Sequence, residues 1–290
     1  MSSLAARVLW VAVAVSIAAC GAATSVSDTP TVSARIMSFN IRLDVASDGR
    51  DAWPNRVSAV AATIRQADVI GVQEATPAML DVLEGEIPAF GRFGVGRDAD
   101  GGGEQSAIFY RTDRLEVVEG GTFWLSPTPE VPGSQGWDAA LPRIATWARL
   151  RDRATSRTLT VVNTHFDHVG AVARRESAAL LAQRAPAIAG GGPLVVMGDL
   201  NATEDSAPYR ALAAVLEDAR CVSESPATGS AATWNAFGRA TRDQRIDHLF
   251  VRGARVLEAA TLDRTIDDVL GTGNTGFPSD HHAVTATVAF

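Results

Sequence analysis

The chain has 290 residues, 46% hydrophobic and 20% charged, enough apolar mass for a sizeable core and too much for a disordered polypeptide. A formal net charge of −7 and an isoelectric point near 5.3 argue against a protein that holds long nucleic acid mainly by neutralising phosphates, while leaving room for a local basic groove. Small or discrete substrates suit that balance better.

Arg7 precedes the apolar run "VLWVAVAVSIAA", too short to span a bilayer comfortably, which ends in small residues before Cys20. This predicts an export signal over residues 1–19. "IAAC" resembles the bacterial lipobox, in which the cysteine is lipidated and becomes the mature N-terminus; a plain signal peptide or an uncleaved anchor are the alternatives. "GAATSVSDTPTVS" then reads as a flexible tether over residues 20–33. The expected location is the bacterial cell envelope, with the membrane engaged through lipid on Cys20 alone; secretion or a periplasmic location is the alternative. Cys221 would be left without a partner, so no internal disulfide framework is expected.

From Ala34 to Phe290 no repeat or low-complexity linker intervenes, and residues 34–290 read as one domain, expected to be monomeric. Strand-like runs follow in order: "RIMSFN", "DVIGVQ", "SAIFYR", "RIATWARL", "TLTVVNTH", "PLVVMGD", "RIDHLFV" and "HAVTATVAF". Between them, "NRVSAVAATIRQ" puts Val57, Val60, Ala61 and Ile64 on one helical face. "TPAMLDVLEGE" begins with Thr76 as cap and Pro77 at the first helical position, and "RRESAALLAQRAPAI" is rich in alanine and leucine. Some neighbouring strands lack a helix between them, which excludes a simple repeating barrel and predicts stacked α/β layers.

Polar residues gather where the strand-like runs end: Asn40, Gln73 with Glu74, Asn163 with His165, Asp199 with Asn201, Asp247, and Asp280 with His281. Strand ends along one edge of an α/β core are where distant positions converge on a ligand. Asn40, Glu74, Asp199, Asn201, Asp247 and Asp280 offer oxygens and amides, the preference of a hard cation such as Mg²⁺, Mn²⁺ or Ca²⁺. Zinc fits less well, since no thiolate is available and no paired-histidine helix motif occurs. Crowded carboxylates repel one another unless a cation or histidine compensates. All five histidines fall in or beside these motifs. His165 and His281 read as proton carriers, because a carboxylate behind an imidazole fixes its tautomer and stabilises its cation. Alternation along a strand turns His248 and His282 away.

The motifs "SFNIR", "VIGVQEA", "SAIFYR", "NTHFDHVG", "MGDLNAT", "RIDHLFV" and "SDHHAV", in this order, resemble the endonuclease/exonuclease/phosphatase superfamily of deoxyribonuclease I-like metal-dependent phosphoesterases. "DGRDAWPNR", "GTFWLSPTPEVPGSQGWDAALPR" and "NTHFDHVGAVARRESA" are similar to a bacterial branch related to sugar-phosphate phosphatases. The resemblance implies a four-layer α/β sandwich, two mixed β-sheets packed face to face and flanked by helices. It implies metal binding by Glu74 with Asn40 and Asp280 beside it, and orientation of the attacking water and phosphoryl group by Asp199 and Asn201. It pairs His281 with Asp247 and gives His165 the developing phosphorane charge or the leaving oxygen; whether Asp199 or His281 takes the water's proton stays open.

Arg143 is either a phosphate clamp or a solvated arginine at a strand start. Asp167 and His168 are expected to support the site, with His168 also a candidate substrate contact. The segment from Gly121 to Pro142 reads as a long functional loop whose Trp124 and Trp137 would stack on a sugar or base. The expected activity is metal-dependent hydrolysis of a small phosphate ester. An exported nuclease, or a non-catalytic binding protein on the same fold, is the alternative. A glycosidase would not need the asparagines or both histidines.

Overall fold

Two strands near the chain's beginning and its end lie side by side in the computed structural model, which describes residues 31–290; the export run, Cys20 and nearly all of the tether lie outside the described residues. In chain order the elements are β1 (Ser33–Asn40), α1 (Val57–Ile64), β2 (Val69–Gln73), α2 (Pro77–Glu86), β3 (Phe90–Phe93), β4 (Ile108–Arg111), β5 (Leu115–Trp124) and β6 (Ile144–Asp152). There follow β7 (Thr158–His165), α3 (Ala171–Ala189), β8 (Leu194–Asp199), α4 (Ala207–Ala213), β9 (Glu217–Asp218), α5 (Ala219–Val222), β10 (Asp247–Arg252), β11 (Arg255–Leu262), α6 (Ile266–Leu270) and β12 (Ala283–Ala289). They form two mixed six-stranded sheets, ordered β11-β12-β1-β2-β4-β3 and β5-β6-β7-β8-β10-β9. Each holds one parallel pair near its middle, β1 with β2 and β7 with β8.

Alternation of side chains builds the layers. Ile36, Val69 and Val288 of the first sheet meet Val161, Val195 and Leu249 of the second between the sheets. Their neighbours point outward: Met37 and Ile70 pack under Val60 and Ile64 of α1 and Leu80 and Leu83 of α2. On the opposite outside, Val162 and Val196 meet Ala178, Leu181 and Ala185 of α3. The central strands are buried on both faces, which is why "VVM" and "TVV" run apolar without a break. The result is the four-layer sandwich that the sequence motifs implied. Among the described residues no helix is long and apolar enough to cross a membrane.

The Thr76 hydroxyl accepts from Met79 N at 3.4 Å at the start of α2, and Pro77 follows it. β3, β5, β9 and β11 had no counterpart among the strand-like runs. In β5 the pair Gly120-Gly121 breaks the apolar pattern for a packing reason: a Cβ on Gly120 would meet the Phe93 ring at 2.5 Å, and one on Gly121 the Trp147 indole at 3.0 Å. The long loop expected from Gly121 is therefore strand as far as Trp124.

Asn163 serves the fold rather than the cleft. It lies between the sheets, its amide donating to Val72 O and Ala107 O at 2.9 Å each, while its oxygen accepts from Gln73 Nε2 at 2.6 Å. Gly71 makes room for this cross-tie, since a Cβ there would lie 2.6 Å from the Asn163 side chain and 2.8 Å from Met197 Cε. Gly71→Ala is accordingly expected to cost about 1–3 kcal/mol by overpacking. Urea unfolding monitored by tryptophan fluorescence checks this; an unchanged midpoint would mean the cross-tie has slack.

Candidate active site

The parallel pairs place their C-terminal ends together. β1 ends at Asn40, β2 is followed by Glu74, β7 ends at His165 and β8 at Asp199. β10 runs antiparallel to β8 and starts at Asp247, directly opposite Asp199, and the turn into β12 supplies Asp280 and His281. Glu74 (φ 60°) and Asn201 (φ 47°) have left-handed backbone, a conformation that costs a non-glycine residue about 1–3 kcal/mol and here stops each strand abruptly at the cleft.

Asn40 ties the two halves. Its Nδ2 donates to Glu74 Oε1 and to Asp199 Oδ2, both at 3.0 Å, while its Oδ1 accepts from Arg42 N at 3.0 Å. It thus presents its amide nitrogen to the carboxylates, not the oxygen that a metal ligand would use. Leu43 N donates to Glu74 Oε2 at 3.0 Å, and the Ser279 hydroxyl donates to Asn40 O at 2.7 Å. Behind these loops lies Arg56, 1% exposed, donating to the carbonyls of Ile41, Arg42, Asp51 and Pro278 between the rings of Trp53 and Phe237. "DGRDAWPNR" is therefore a clamp on the loops that carry the cleft residues, and Trp53 is part of its core.

Across the cleft, His281 Nδ1 lies 2.8 Å from Asp247 Oδ2, and its Nε2 lies 3.8 Å from Asp199 Oδ2. Burial works against a charge on His281, but Asp247, through charge and hydrogen bond, and then Asp199 and Asp280 hold its imidazolium well above 6.5. Burial and the Asp247 charge push Asp199 upward, against His281 and the donors Asn201 N and Asn40. Burial likewise raises Asp280. His165 is the opposite case: burial, and then Arg143, keep it neutral. Its Nε2 lies 3.1 Å from Asn201 Nδ2 and 3.5 Å from Asp199 Oδ2.

This donor set fits a divalent cation. Asp199, Asp247 and His281 each bring a ligating atom within 4.8 Å of the others, all buried, and Asp247 Oδ1 is buried with no hydrogen-bond partner. Glu74 and Asp280 add carboxylates on the other wall of the same cleft.

The cleft is open to solvent and offers about 460 Å³ of room. Of the residues expected to touch substrate, Arg143 and His168 line it; Trp124 and Trp137 do not. Trp124 is buried, its indole N–H donating to Arg97 O at 2.7 Å, and Trp137 projects outside the cleft. Trp234 stands there instead, bridged to Gln244 and to His281. Arg42 and Glu104 also line the cleft. None of these three was given a role from the sequence: Arg42 closes the motif "SFNIR" and could have been, whereas Glu104 follows three glycines and reads as a turn. His248 and His282 face elsewhere, His248 Nε2 lying 3.0 Å from Ala202 O and His282 Nδ1 3.3 Å from Asn235 Nδ2.

Arg143 is only 5% exposed, which removes the solvated alternative; its Nε donates to Asp167 Oδ2 at 3.4 Å and its Nη2 lies 2.9 Å from His168 Nδ1. Asp167 also accepts from the backbone N–H groups of Ala140, Val169 and Gly170. Burial opposes its charge, yet these donors and Arg143 bring its pKa down to about 2. A carboxyl depressed in the folded state stabilises it above the unfolded value, and that contribution fades as pH falls through the ordinary carboxylate range towards 2. Asp167→Asn should therefore lower the melting temperature at pH 7 and differ progressively less from wild type in acid. A gap that stays constant with pH would contradict this.

A model of the Endonuclease/Exonuclease/phosphatase family matches residues 37–281. The chain belongs to this family. The endonuclease/exonuclease/phosphatase of Bacteroides vulgatus is 35% identical with a TM-score of 0.82, over 89% of this chain and 98% of that one. A mannosyl-6-phosphatase of Bacteroides thetaiotaomicron is 34% identical at a TM-score of 0.82, over 88% and 99%. The catalytic domain of human nocturnin, solved with bound sulfate, shares the fold at 20% identity and a TM-score of 0.66, over 89% and 93%. A comparison with curated proteins returns no match. Endonuclease/exonuclease/phosphatase proteins are phosphoesterases or nucleases, so the chain is a hydrolase acting on phosphate esters.

Proposed function

We propose that this family member is a divalent-metal-dependent phosphatase of small phosphate esters, with a sugar phosphate as the favoured class. The observation that carries this is the single cleft in which Asn40 joins Glu74 to Asp199 across the two sheets, opposite the Asp247–His281 pair. The similarity to a mannosyl-6-phosphatase over almost the whole length of both chains supports the sugar class. Glu74 and Asp280, with Asp199 facing the same cleft, are the residues that would hold the cation, with Mg²⁺ or Mn²⁺ as the ions expected; His281, paired with Asp247, stays charged beside them. A bound divalent cation supplies charge against the phosphoryl oxygens during in-line attack.

The remaining work falls to the chain itself. Asn201 N donates to Asp199 Oδ1 at 2.8 Å and Asn40 to its Oδ2, leaving that carboxylate fixed for accepting the proton of an attacking water. Asp247 keeps His281 charged, which favours the ionised form of Asp199 that takes the water's proton and offsets the negative charge developing on phosphorus. Arg143, held by Asp167, gives the opposite wall a fixed guanidinium for phosphate oxygens.

Nucleic acid is the second reading. Four carboxylates, Glu74, Glu104, Asp199 and Asp280, face the cleft, and its arginines are already paired, Arg42 with Asp48 and Arg143 with Asp167. Such a lining favours one phosphate group over a polyanion. Hexose 6-phosphates, a phosphodiester and plasmid DNA, each with EDTA or Mg²⁺, decide between them: sugar-phosphate turnover should exceed DNA cleavage and vanish in EDTA. Efficient nicking without small-ester turnover would install the nuclease reading instead. For location, mass spectrometry of the mature N-terminal peptide should find lipid on Cys20; an unmodified Cys20 in the mature protein would remove the anchor.

A further inference from the structure

Alongside the catalytic cleft runs a second groove that offers about 470 Å³ of room, as much as the cleft itself, and is likewise open to solvent. Asn201, Gln244 and Ile246 line both, so the two meet at the residue whose backbone N–H holds Asp199. One wall of the groove is the first turn of α3, with Ala171, Arg174 and Arg175; the other is the loop from Asn201 into α4, with Thr203 and Ser206.

The charge of this groove is the reverse of the cleft's. Four carboxylates face the cleft, whereas no acid lines the groove and two arginines do. Arg175 is paired with Glu176 at 2.7 Å. Arg174 is different: half-buried, it donates from Nη1 to Asp167 O at 2.8 Å and makes no ion pair among the described residues. The Asp167 carboxylate is itself spent on Arg143 and on three backbone N–H groups, so it does not balance Arg174. The carbonyl bond fixes the guanidinium and leaves the hydrogens of its Nε and Nη2 for a guest. The end of α3 is not the attraction, because Val172 N and Ala173 N already donate to Asp138. Nor are the hydroxyls, since Ser206 donates to Thr203 O and Thr203 to Asp205 Oδ1. What the groove offers is one positioned, uncompensated guanidinium, and that suits an oxyanion.

We propose that the groove is a second anion subsite, in which Arg174 takes a phosphate or carboxylate carried elsewhere on the substrate alcohol while the reacting phosphate lies in the cleft. This rests on the phosphatase reading above and narrows the substrate class to small esters with two anionic groups.

Two matched pairs of esters test it. Fructose 1,6-bisphosphate against fructose 6-phosphate reads a second phosphate, and 6-phosphogluconate against glucitol 6-phosphate reads a carboxylate. In the full-length purified protein with Mg²⁺, kcat/KM should favour the doubly anionic member of at least one pair by about tenfold or more, the size of a charge-assisted hydrogen bond, and the pair that shows it identifies the anion. Arg174→Gln should erase that preference, chiefly through KM, and Arg174→Lys should restore part of it. Ala171→Glu sets an acid at the first position of α3, which a helix tolerates, and should erase the preference by repulsion while leaving Arg174 in place. No preference in either pair, or one that survives either folded variant, overturns the subsite. Equal losses on both members of a pair would also overturn it, leaving Arg174 as a support of the Asp167 loop. Calorimetry on His281→Ala with Mg²⁺ gives a reading free of turnover. Tighter binding of fructose 1,6-bisphosphate or 6-phosphogluconate than of its partner, lost when Arg174→Gln is added, supports the subsite even if wild type hydrolyses no ester, which would count against the phosphatase alone. Equal binding of both partners, or none, overturns the subsite. A greater loss from Arg174→Gln on plasmid nicking than on either pair assigns the groove to a neighbouring backbone phosphate and overturns the small-ester reading of it.

Discussion

Replacing His281 with alanine is expected to lower kcat by about three to four orders of magnitude, and Asp247→Asn by a comparable factor, the size seen when an orienting acid or its histidine is lost. The geometry gives the reason. His281 Nδ1 and Asp247 Oδ2 are 2.8 Å apart in a buried setting, and the imidazolium faces Asp199 at 3.8 Å. Neither residue works without its partner, so the double variant should lose no more than the worse single one. Asn is chosen at 247 because it removes the charge while keeping the side chain's shape and an oxygen to accept from His281 Nδ1, so that no cavity is added to the loss. His282→Ala, which removes a ring packed on Phe277, should be mild by comparison. Rates measured on folded variants, checked by circular dichroism, decide this. A double variant that loses the product of the two single losses would show that the pair does not act as a unit.

Glu74→Gln carries the second large effect, a loss of about a hundredfold or more in kcat/KM, in line with removal of one preorganised charge from a water-poor site. The amide keeps the shape of the carboxylate and its place under Leu43 N, so the fold should persist. The loss should be steepest at low Mg²⁺, with the half-saturating metal concentration shifted upward, because one charged ligand has been neutralised. Undiminished turnover across Mg²⁺ concentrations would remove Glu74 from the metal site.

Much of this was legible in the residues, for a definite reason. Strands buried on both faces must run apolar to their ends, so an acid, an amide or a histidine placed there stands out, as Asn40, Glu74, His165 and Asp199 do. The same signal misled at Asn163, which also follows a valine pair but points between the sheets; alternation distinguishes it only once the partner Gln73 is known to lie opposite. Tryptophan gave no guide to exposure, since Trp124 is buried under a carbonyl while Trp234, in an unremarked loop, reaches the cleft. Glu104 was hidden by its three preceding glycines, because turn composition carries no information about what a turn leans against. β11 was missed because only one of its faces is strongly apolar and a register irregularity between Val256 and Glu258 breaks its period.

The hydrogen bond from Ser279 to Asn40 joins positions 239 residues apart, and β1 completes its pairing only when β12 arrives. Time of synthesis thereby becomes part of the chemistry. A growing chain presents Asn40, Glu74, Asp199 and Asp247 well before it presents His281, so the crowded acids exist for a while without the cation that balances them. Such late, distant closure makes for slow folding, and it makes activity an all-or-none report on completion. A chain interrupted before Ser279 would carry most of the site's acids and none of its competence, so that hydrolysis begins only after the last strand has docked.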